Sequence, residues 1–186
     1  IKIPRNDGTN NADYLLDGEQ INAIAVDIVN RKWIATETSG VYLVSEDGLE
    51  TIHHFNTDNS PLLSNKVISI AINDQNGEVF FGTENGIISF VTEVTEPAEN
   101  LDSIRVYPNP VRPDYKGIIT IRNLKENTNV KILDLAGNAV YETTSLGGTA
   151  IWDYQNQAKI SSGIYWIICT TENKKIYGKT KLLILK

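Results

Sequence analysis

The first half of the chain contains one strand-rich pattern twice, and this repeat limits the possible folds more than any other feature. The matching pairs of segments are 21–27 with 67–73, 33–36 with 80–83, and 40–44 with 86–90. Their offsets are 46, 47 and 46 residues. A repeat of that length accommodates four short strands and their turns, which is the size of one blade of a β-propeller. The repeat predicts about two propeller blades within residues 1–90.

Two blades are too few to close a propeller, which needs about four to eight. Open blades leave sheet edges unpaired, and such edges recruit other strands. We therefore expect either that further blades lie upstream of Ile1 or that the open blade edges drive self-association. The sequence contains no Met, so the interpretation is that Ile1 is not a natural start and that the chain is a fragment of a longer protein.

The second half is strand-rich without a repeat. Seven candidate strands are 103–107, 117–122, 129–134, 139–142, 149–152, 163–170 and 175–185. Seven short antiparallel strands in about 85 residues indicate an immunoglobulin-like β-sandwich. The expected fold class is all-β, with a partial propeller over 1–90, an acidic linker over 91–100 and a sandwich over 101–186.

The charge is divided unevenly between these two parts. Residues 1–100 hold 5 basic and 16 acidic residues, a net charge of −11, whereas residues 101–186 hold 12 and 7, a net charge of +5. An acidic first half would repel phosphates, which argues against a nucleic-acid partner. The lysines of the second half are scattered along strands, so we expect them on solvated strand faces rather than in a nucleic-acid site.

Few residues suggest a catalytic or metal-binding role. Cys169 lies in an apolar strand and is expected to be a small buried hydrophobe. His53 and His54 are adjacent on a strand and point to opposite faces, so they cannot easily share a metal ion. Residues 7–13 resemble a calcium loop only faintly, because they lack its glycine and its closing Glu. We predict no enzyme activity, no metal and no cofactor.

The repeats resemble the two-component regulator propeller repeat, in which an apolar strand ends in Asp and is followed by Trp-Ile-Gly-Thr and Gly-Leu. The residues that carry the resemblance are Asp27, Trp33, Thr36 and Gly40 in the first copy, and Thr83 and Gly86 in the second. Ala35 replaces the usual Gly, and Phe80 replaces Trp in the second copy. This resemblance implies that residues 1–90 are the last blades of a regulator-type propeller.

The second half resembles the C-terminal sorting domain of the type IX (Por) secretion system of Bacteroidetes. The matching segments are 106–111, 130–137, 162–165 and 179–186. Their motif residues are Tyr107, Pro108, Asn109, Pro110, Gly137, Gly163, Lys179, Lys181 and Lys186. Tyr154 departs from the family, which often has Gly after Trp-Asp. The resemblance implies that transport machinery reads this folded end.

Each motif also has a purely structural interpretation. Gly137 is expected to supply a positive φ in a hairpin turn, and Gly163 to mark a bulge or a close approach. The terminal strand, 179–186, combines lysines with an apolar run and is expected to offer its edge to a partner strand.

A regulator-type propeller followed by a sorting domain resembles a family of surface components of the same secretion system. The resemblance implies a non-enzymatic role at the outer-membrane surface or outside the cell, after export through the periplasm. The implied partners are the secretion and sortase machinery, and anionic lipopolysaccharide or another surface glycan. Two alternatives stay open: the ligand-sensing ectodomain of a two-component regulator, and the C-terminal part of a secreted enzyme.

Overall fold

The computed structural model describes residues 2–4, 12–155, 160–171 and 177–185. All regular structure in these ranges is β-strand, as predicted. The chain divides into two compact units, Ile1–Thr92 and Glu93–Lys186. The described residues contain no apolar helix of membrane-spanning length.

The first unit contains three antiparallel sheets. Its strands are β1 (Lys2–Pro4), β2 (Ala12–Tyr14), β3 (Ile21–Val26), β4 (Lys32–Thr36), β5 (Val41–Val44), β6 (Thr51–Phe55), β7 (Val67–Asn73), β8 (Glu78–Thr83) and β9 (Gly86–Val91). Strands β1 and β2 form a hairpin. The two predicted blades are the sheets β3-β4-β5-β6 and β7-β8-β9.

The two blades pack against each other around an aromatic core. Trp33 is fully buried, and its ring centroid lies 5.5 Å from that of Phe81 and 6.1 Å from that of Phe90. Because side chains alternate along a strand, Trp33 and Ala35 face this core from the same strand. Burial of these apolar faces is the main force that holds the sheets together.

The second blade lacks the fourth strand that completes the first. In the first blade, β6 pairs with β5 and forms the outer strand. A shift of 46 residues places the equivalent of β6 at residues 97–101. Those residues belong to the second unit, and within the described ranges β9 pairs with β8 alone.

Each blade also has an apolar face that the other blade does not cover. Ile24 and Val26 are 61% and 53% exposed on the first blade, and Ile87 and Val91 are 75% and 56% exposed on the second. Apolar side chains on a sheet face are normally covered by another layer. These faces fit blades of an incomplete propeller, and self-association through their edges stays a prediction.

The second unit is a sandwich of seven strands in two antiparallel sheets. The strands are β10 (Arg105–Tyr107), β11 (Ile119–Arg122), β12 (Asn129–Leu133), β13 (Ala139–Thr144), β14 (Thr149–Trp152), β15 (Gly163–Thr170) and β16 (Tyr177–Ile184). Sheet β10-β11-β14 faces sheet β13-β12-β15-β16. One core cluster lies between them, with Trp152 fully buried and Tyr165 edge-on to it at 6.2 Å.

The acidic segment predicted to be a linker contributes contacts to this second unit from Glu93 onward. Thr95 pairs with Gly147, and its Oγ1 lies 2.8 Å from Oγ1 of Thr149 in a buried contact. The backbone N–H of Ala98 donates to Leu124 O at 2.7 Å. The segment lies close because Gly148 has no side chain, and a Cβ there would be 2.2 Å from Glu96 O.

Candidate sorting-signal site

The two ends of the predicted sorting domain meet at Asn109. Its side-chain Nδ2 donates to Lys181 O at 2.9 Å, and its Oδ1 accepts from the Leu183 N–H at 3.1 Å. Pro108 and Pro110 on either side have no N–H to offer a neighbouring strand. The Asn109 amide, which carries both a donor and an acceptor, takes the place of a peptide group beside the terminal strand.

Val111 continues this pairing toward the chain end. Its N–H donates to Leu183 O at 2.8 Å, and its carbonyl accepts from the Leu185 N–H at 2.9 Å. The two residues therefore use the outward backbone groups of β16 between Lys181 and Leu185. The expectation that this strand offers its edge to a partner is wrong for this stretch, because the chain's own 109–111 segment already pairs with it.

The opposite end of β16 is covered as well. A Cβ at Gly178 would lie 2.6 Å from Ile104 Cδ1 and 2.6 Å from Leu101 O. Only glycine leaves enough space for the 101–104 segment to cross the strand here. The inner face of β16 is therefore covered at this end as well, and the side chains of its outer face stay accessible.

That outer face presents lysines around one tryptophan. Trp166 lies directly across from Lys181 in the register of β15 and β16. The Lys181 Nζ is 4.6 Å from the centre of the Trp166 ring, and the Lys179 Nζ is 5.7 Å from it. Both lysines are exposed, so the cation–π contacts restrain their side chains while leaving their charge accessible.

The remaining sorting-motif residues do not join this cluster. Gly137 has φ 86° in the turn between β12 and β13, as predicted. A Cβ at Gly163 would meet nothing within 4 Å and the β15–β16 register is regular there, so the expected bulge or close approach is absent. Tyr107 is 50% exposed at the end of β10. Lys186 lies outside the described residues, as do residues 7–11 of the calcium-like segment.

The propeller-repeat residues close a turn with the same type of hydrogen bond in both blades, although the turn of the first blade is one residue longer. Thr36 Oγ1 donates to Gly40 O at 2.9 Å, and Thr83 Oγ1 donates to Gly86 O at 2.8 Å. Gly40 has φ 85°, and a Cβ there would lie 2.1 Å from Phe55 O. Both the turn and the close approach therefore require glycine at position 40.

Asp27, the other polar member of the motif, is a structural residue. Its Oδ2 accepts from Arg31 Nε at 2.7 Å in a buried ion pair, and its Oδ1 accepts from the Val29 and Arg31 N–H groups. These bonds close the turn between β3 and β4. Within the described ranges, the buried Arg31 Nη2 has no hydrogen-bond partner.

The two histidines point to opposite sides of β6, as expected. His53 contacts Phe55 and Phe90, whereas His54 stacks on Tyr42 at 4.0 Å and its Nε2 lies 2.8 Å from Ser39 O. Cys169 is fully buried, and burial raises the pKa of its thiol to about 12. Within the described ranges, no group of three or more His, Cys, Asp or Glu side chains is arranged to hold a metal ion.

One apolar cleft opens between the blades of the first unit, with a volume of about 210 Å³. Phe55, Leu62, Phe81, Ile88 and Phe90 form most of its wall, with Ser60 and Ser89 as polar neighbours. The lining residues carry no charged side chain, so the cleft is unsuited to an anionic ligand.

Sequence reasoning missed Val111, Trp166 and Gly178 as members of this site. Val111 stands only at the end of the matching segment 106–111, and Trp166 lies within the candidate strand 163–170. A usable signal was the period of two in β15, which puts Trp166 on the face opposite the buried Tyr165 and Ile167. No local signal marks Gly178, because its role depends on a segment more than seventy residues earlier.

Comparisons with known proteins show what the two parts of the chain are similar to. Residues 105–185 match the model of the secretion system C-terminal sorting domain. A search of curated proteins finds no significant match. Among solved structures, PorZ of Porphyromonas gingivalis, described as an essential bacterial surface component of the type-IX secretion system, is 36% identical with a TM-score of 0.64. That match covers 95% of this chain and 24% of PorZ.

Two extracellular domains from B. thetaiotaomicron are less similar. The domain of the putative hybrid two-component system BT4673 is 12% identical with a TM-score of 0.34, over 96% of this chain and 27% of that one. The domain of BT3049 is 19% identical with a TM-score of 0.36, over 87% and 23%. The chain thus spans about a quarter of the length of each of these three structures.

The sorting-domain match contains both Asn109 and the terminal strand that it holds, and the match to PorZ covers 95% of the chain, blades and sandwich alike. The chain is therefore a PorZ-like, type IX secretion-related sequence, in which residues 105–185 belong to the family of secretion system C-terminal sorting domains.

Proposed function

We propose that the sandwich acts as the outer-membrane translocation and sorting signal of a non-enzymatic surface component or cargo of the type IX secretion system. The blades serve as a binding scaffold in this proposal. The observation that carries it is the contact of Asn109 with Lys181 and Leu183, across 72 and 74 residues of sequence. Two separate motifs of the sorting family thereby become one folded surface that a receptor can recognise.

The non-enzymatic part of the proposal is supported by the state of the residues best suited to catalysis. The buried Cys169 thiol, with its pKa raised to about 12, stays protonated at neutral pH. His53 and His54 lie on opposite faces of a strand, and each is engaged with aromatic neighbours.

Delivery of a fused reporter tests the sorting role. The whole chain is fused behind a reporter with its own export signal, in a cell with a working type IX system. The fusion is expected at the outer-membrane surface or in the medium. Truncation after Leu182 removes Leu183 and Leu185, which pair with the 109–111 segment, and is expected to abolish delivery. Normal delivery of a fusion that lacks residues 105–185 would contradict the proposal.

A surface glycan is the second proposed partner, and the charge distribution supports a binding site on the basic half. The net charge of −11 on residues 1–100 opposes an anionic ligand there, whereas the +5 on residues 101–186 favours one. Purified chain is expected to bind vesicles that carry anionic lipopolysaccharide at low salt and to release them as salt screens the lysines. Equal binding to uncharged vesicles would contradict this part.

A further inference from the structure

The accessible side of the terminal strand is a compact surface of two lysines, one tryptophan and two aliphatic side chains. We define the docking face as Ile164, Trp166, Lys179, Lys181 and Leu183, which lie on the outer side of β15 and β16. We propose that this face binds an acidic and partly apolar surface on a protein of the secretion machinery. The inference rests on the proposed sorting function and names the surface that performs it.

The first argument is elimination within the strand. The inner side chains of β16, Leu182 and Ile184, are fully buried in the core. Its outward backbone groups are paired with Asn109 and Val111 between Lys181 and Leu185, and the 101–104 segment covers the inner side at Gly178. The outer face is therefore the broadest surface of this strand that a receptor can contact in the folded domain.

The second argument is charge. Lys131 lies on the same face and has its own counter-ion, because its Nζ is 3.3 Å from Glu142 Oε1. Hydrogen bonds from Asn129 and from Lys131 lower the pKa of Glu142 and keep it ionised. Lys179 and Lys181 have no such carboxylate within the described part of the chain. Two uncompensated cations side by side are complementary to an acidic partner.

The third argument is that the lysines are already positioned. Ordering a free lysine at an interface costs side-chain entropy. Both ammonium groups contact Trp166, at 4.6 and 5.7 Å, which restrains the two lysine side chains in the free protein. Less side-chain entropy is therefore lost when a partner binds. A face that is both charged and restrained is favoured for specific binding.

The choice of a protein over a glycan follows from the aromatic ring and its neighbours. A sugar would stack on an open ring face, but the Trp166 ring already has two ammonium groups close to it. Ile164 and Leu183, which are paired across the two strands and 41% and 37% exposed, add apolar area beside the charges. Mixed apolar and charged contact is typical of protein interfaces.

Charge reversal in the full-chain reporter fusion tests the proposal. Lys179→Glu with Lys181→Glu is expected to lower surface delivery at least tenfold. The matched control is Arg105→Glu with Lys116→Glu, an equal charge change at exposed residues outside the face, which is expected to deliver normally. Lys179→Arg with Lys181→Arg keeps the charge and is expected to retain delivery.

The unfolding midpoint of each purified variant separates recognition from folding. Should the charge-reversed pair unfold, Lys179→Gln with Lys181→Gln replaces it, with the same expected loss. Normal delivery by a folded, charge-reversed chain overturns the docking face. If the charge-reversed chain is delivered normally but deletion of 105–185 still abolishes delivery, the sorting function is retained and only the docking face is rejected. An equal defect in the control pair also overturns the proposal, since net charge alone would then explain the loss.

Direct binding distinguishes the two classes of partner. Vesicles that carry anionic lipopolysaccharide are expected to bind the charge-reversed chain and the control pair equally, because both variants lose the same positive charge and the docking face is assigned to a protein. Selective loss of vesicle binding by the charge-reversed pair, with the control pair unaffected, would identify a glycan as the occupant and overturn that assignment.

Discussion

The Asn109 side chain pairs with the backbone of Leu183 as a neighbouring strand would. Its Oδ1 accepts the Leu183 N–H at 3.1 Å, and its Nδ2 donates to the preceding outward carbonyl, Lys181 O, at 2.9 Å. Prolines on both sides remove the backbone donors that would ordinarily make such bonds. The pairing explains in physical terms why an Asn stands between two prolines and why the terminal strand does not end in an open edge.

Asn109→Ala removes both bonds and is expected to lower the free energy of unfolding of the second unit by about 1–2 kcal/mol. Asn109→Asp keeps the acceptor and loses the donor, so an intermediate loss is expected. Denaturant unfolding followed by tryptophan fluorescence measures both. Asn129→Ala, which removes only a bond to the exposed Glu142 side chain, is the matched control. An equal effect of the two alanine variants would contradict the assigned role of Asn109.

The acidic segment is expected to stabilise the sandwich. A chain of residues 93–186 should be more stable than one of residues 101–186 by about 3 kcal/mol, from hydrogen bonds of about 1 kcal/mol each and the burial of Val94. The bonds are those of Thr95 with Gly148 and Thr149, and of Ala98 with Leu124. Comparison of the two unfolding curves tests this, and equal midpoints would show that the segment acts only as a linker.

Gly40 and Gly18 form a matched pair in the first unit. Their φ angles are 85° and 80°, but only at Gly40 would a Cβ clash, at 2.1 Å from Phe55 O. Alanine at either position costs the same backbone strain. Gly40→Ala is expected to destabilise the blades by about 1–3 kcal/mol more than Gly18→Ala, because the β6 backbone has to move. Thermal unfolding of the two variants measures the difference, and equal losses would argue against the close approach.

Cys169 is expected to be inert in the folded protein. Burial raises the pKa of its thiol from 9.0 to about 12, so at pH 8 the thiolate fraction falls about a thousandfold. Alkylation should be negligible in the native chain and complete in urea, where the single Cys serves as its own control. Rapid labelling without denaturant would show that the thiol is accessible.

The same shift has a consequence for stability at high pH. The Cys169 thiol holds its proton more tightly in the folded state than in the unfolded state. The stability that this difference contributes is fully present below pH 9. It is lost as pH rises from 9 toward about 12. Cys169→Ala is expected to flatten that part of the pH dependence, as measured by denaturant midpoints.

The strands and their grouping could be predicted from the sequence because they depend on local patterns. Alternating apolar residues and turn glycines predicted two blades in the first half and seven strands in the second. Gly137 likewise has the positive φ that its turn requires. Family motifs added the sorting assignment. Each of these signals lies within a few residues of the structure it specifies.

The site itself was decided by tertiary structure. No local pattern shows that the Asn109 amide pairs with Leu183. Nor does one show that Leu101 approaches Gly178 so closely that a Cβ there would clash. The same is true of Trp166, which shares its face with Lys179 and Lys181 on another strand. These relationships form between segments distant in sequence, where strand register and the absence of a Cβ determine which groups meet. The sequence therefore determined which segments become strands and turns, and the packing of those strands decided which side of the terminal strand stays accessible.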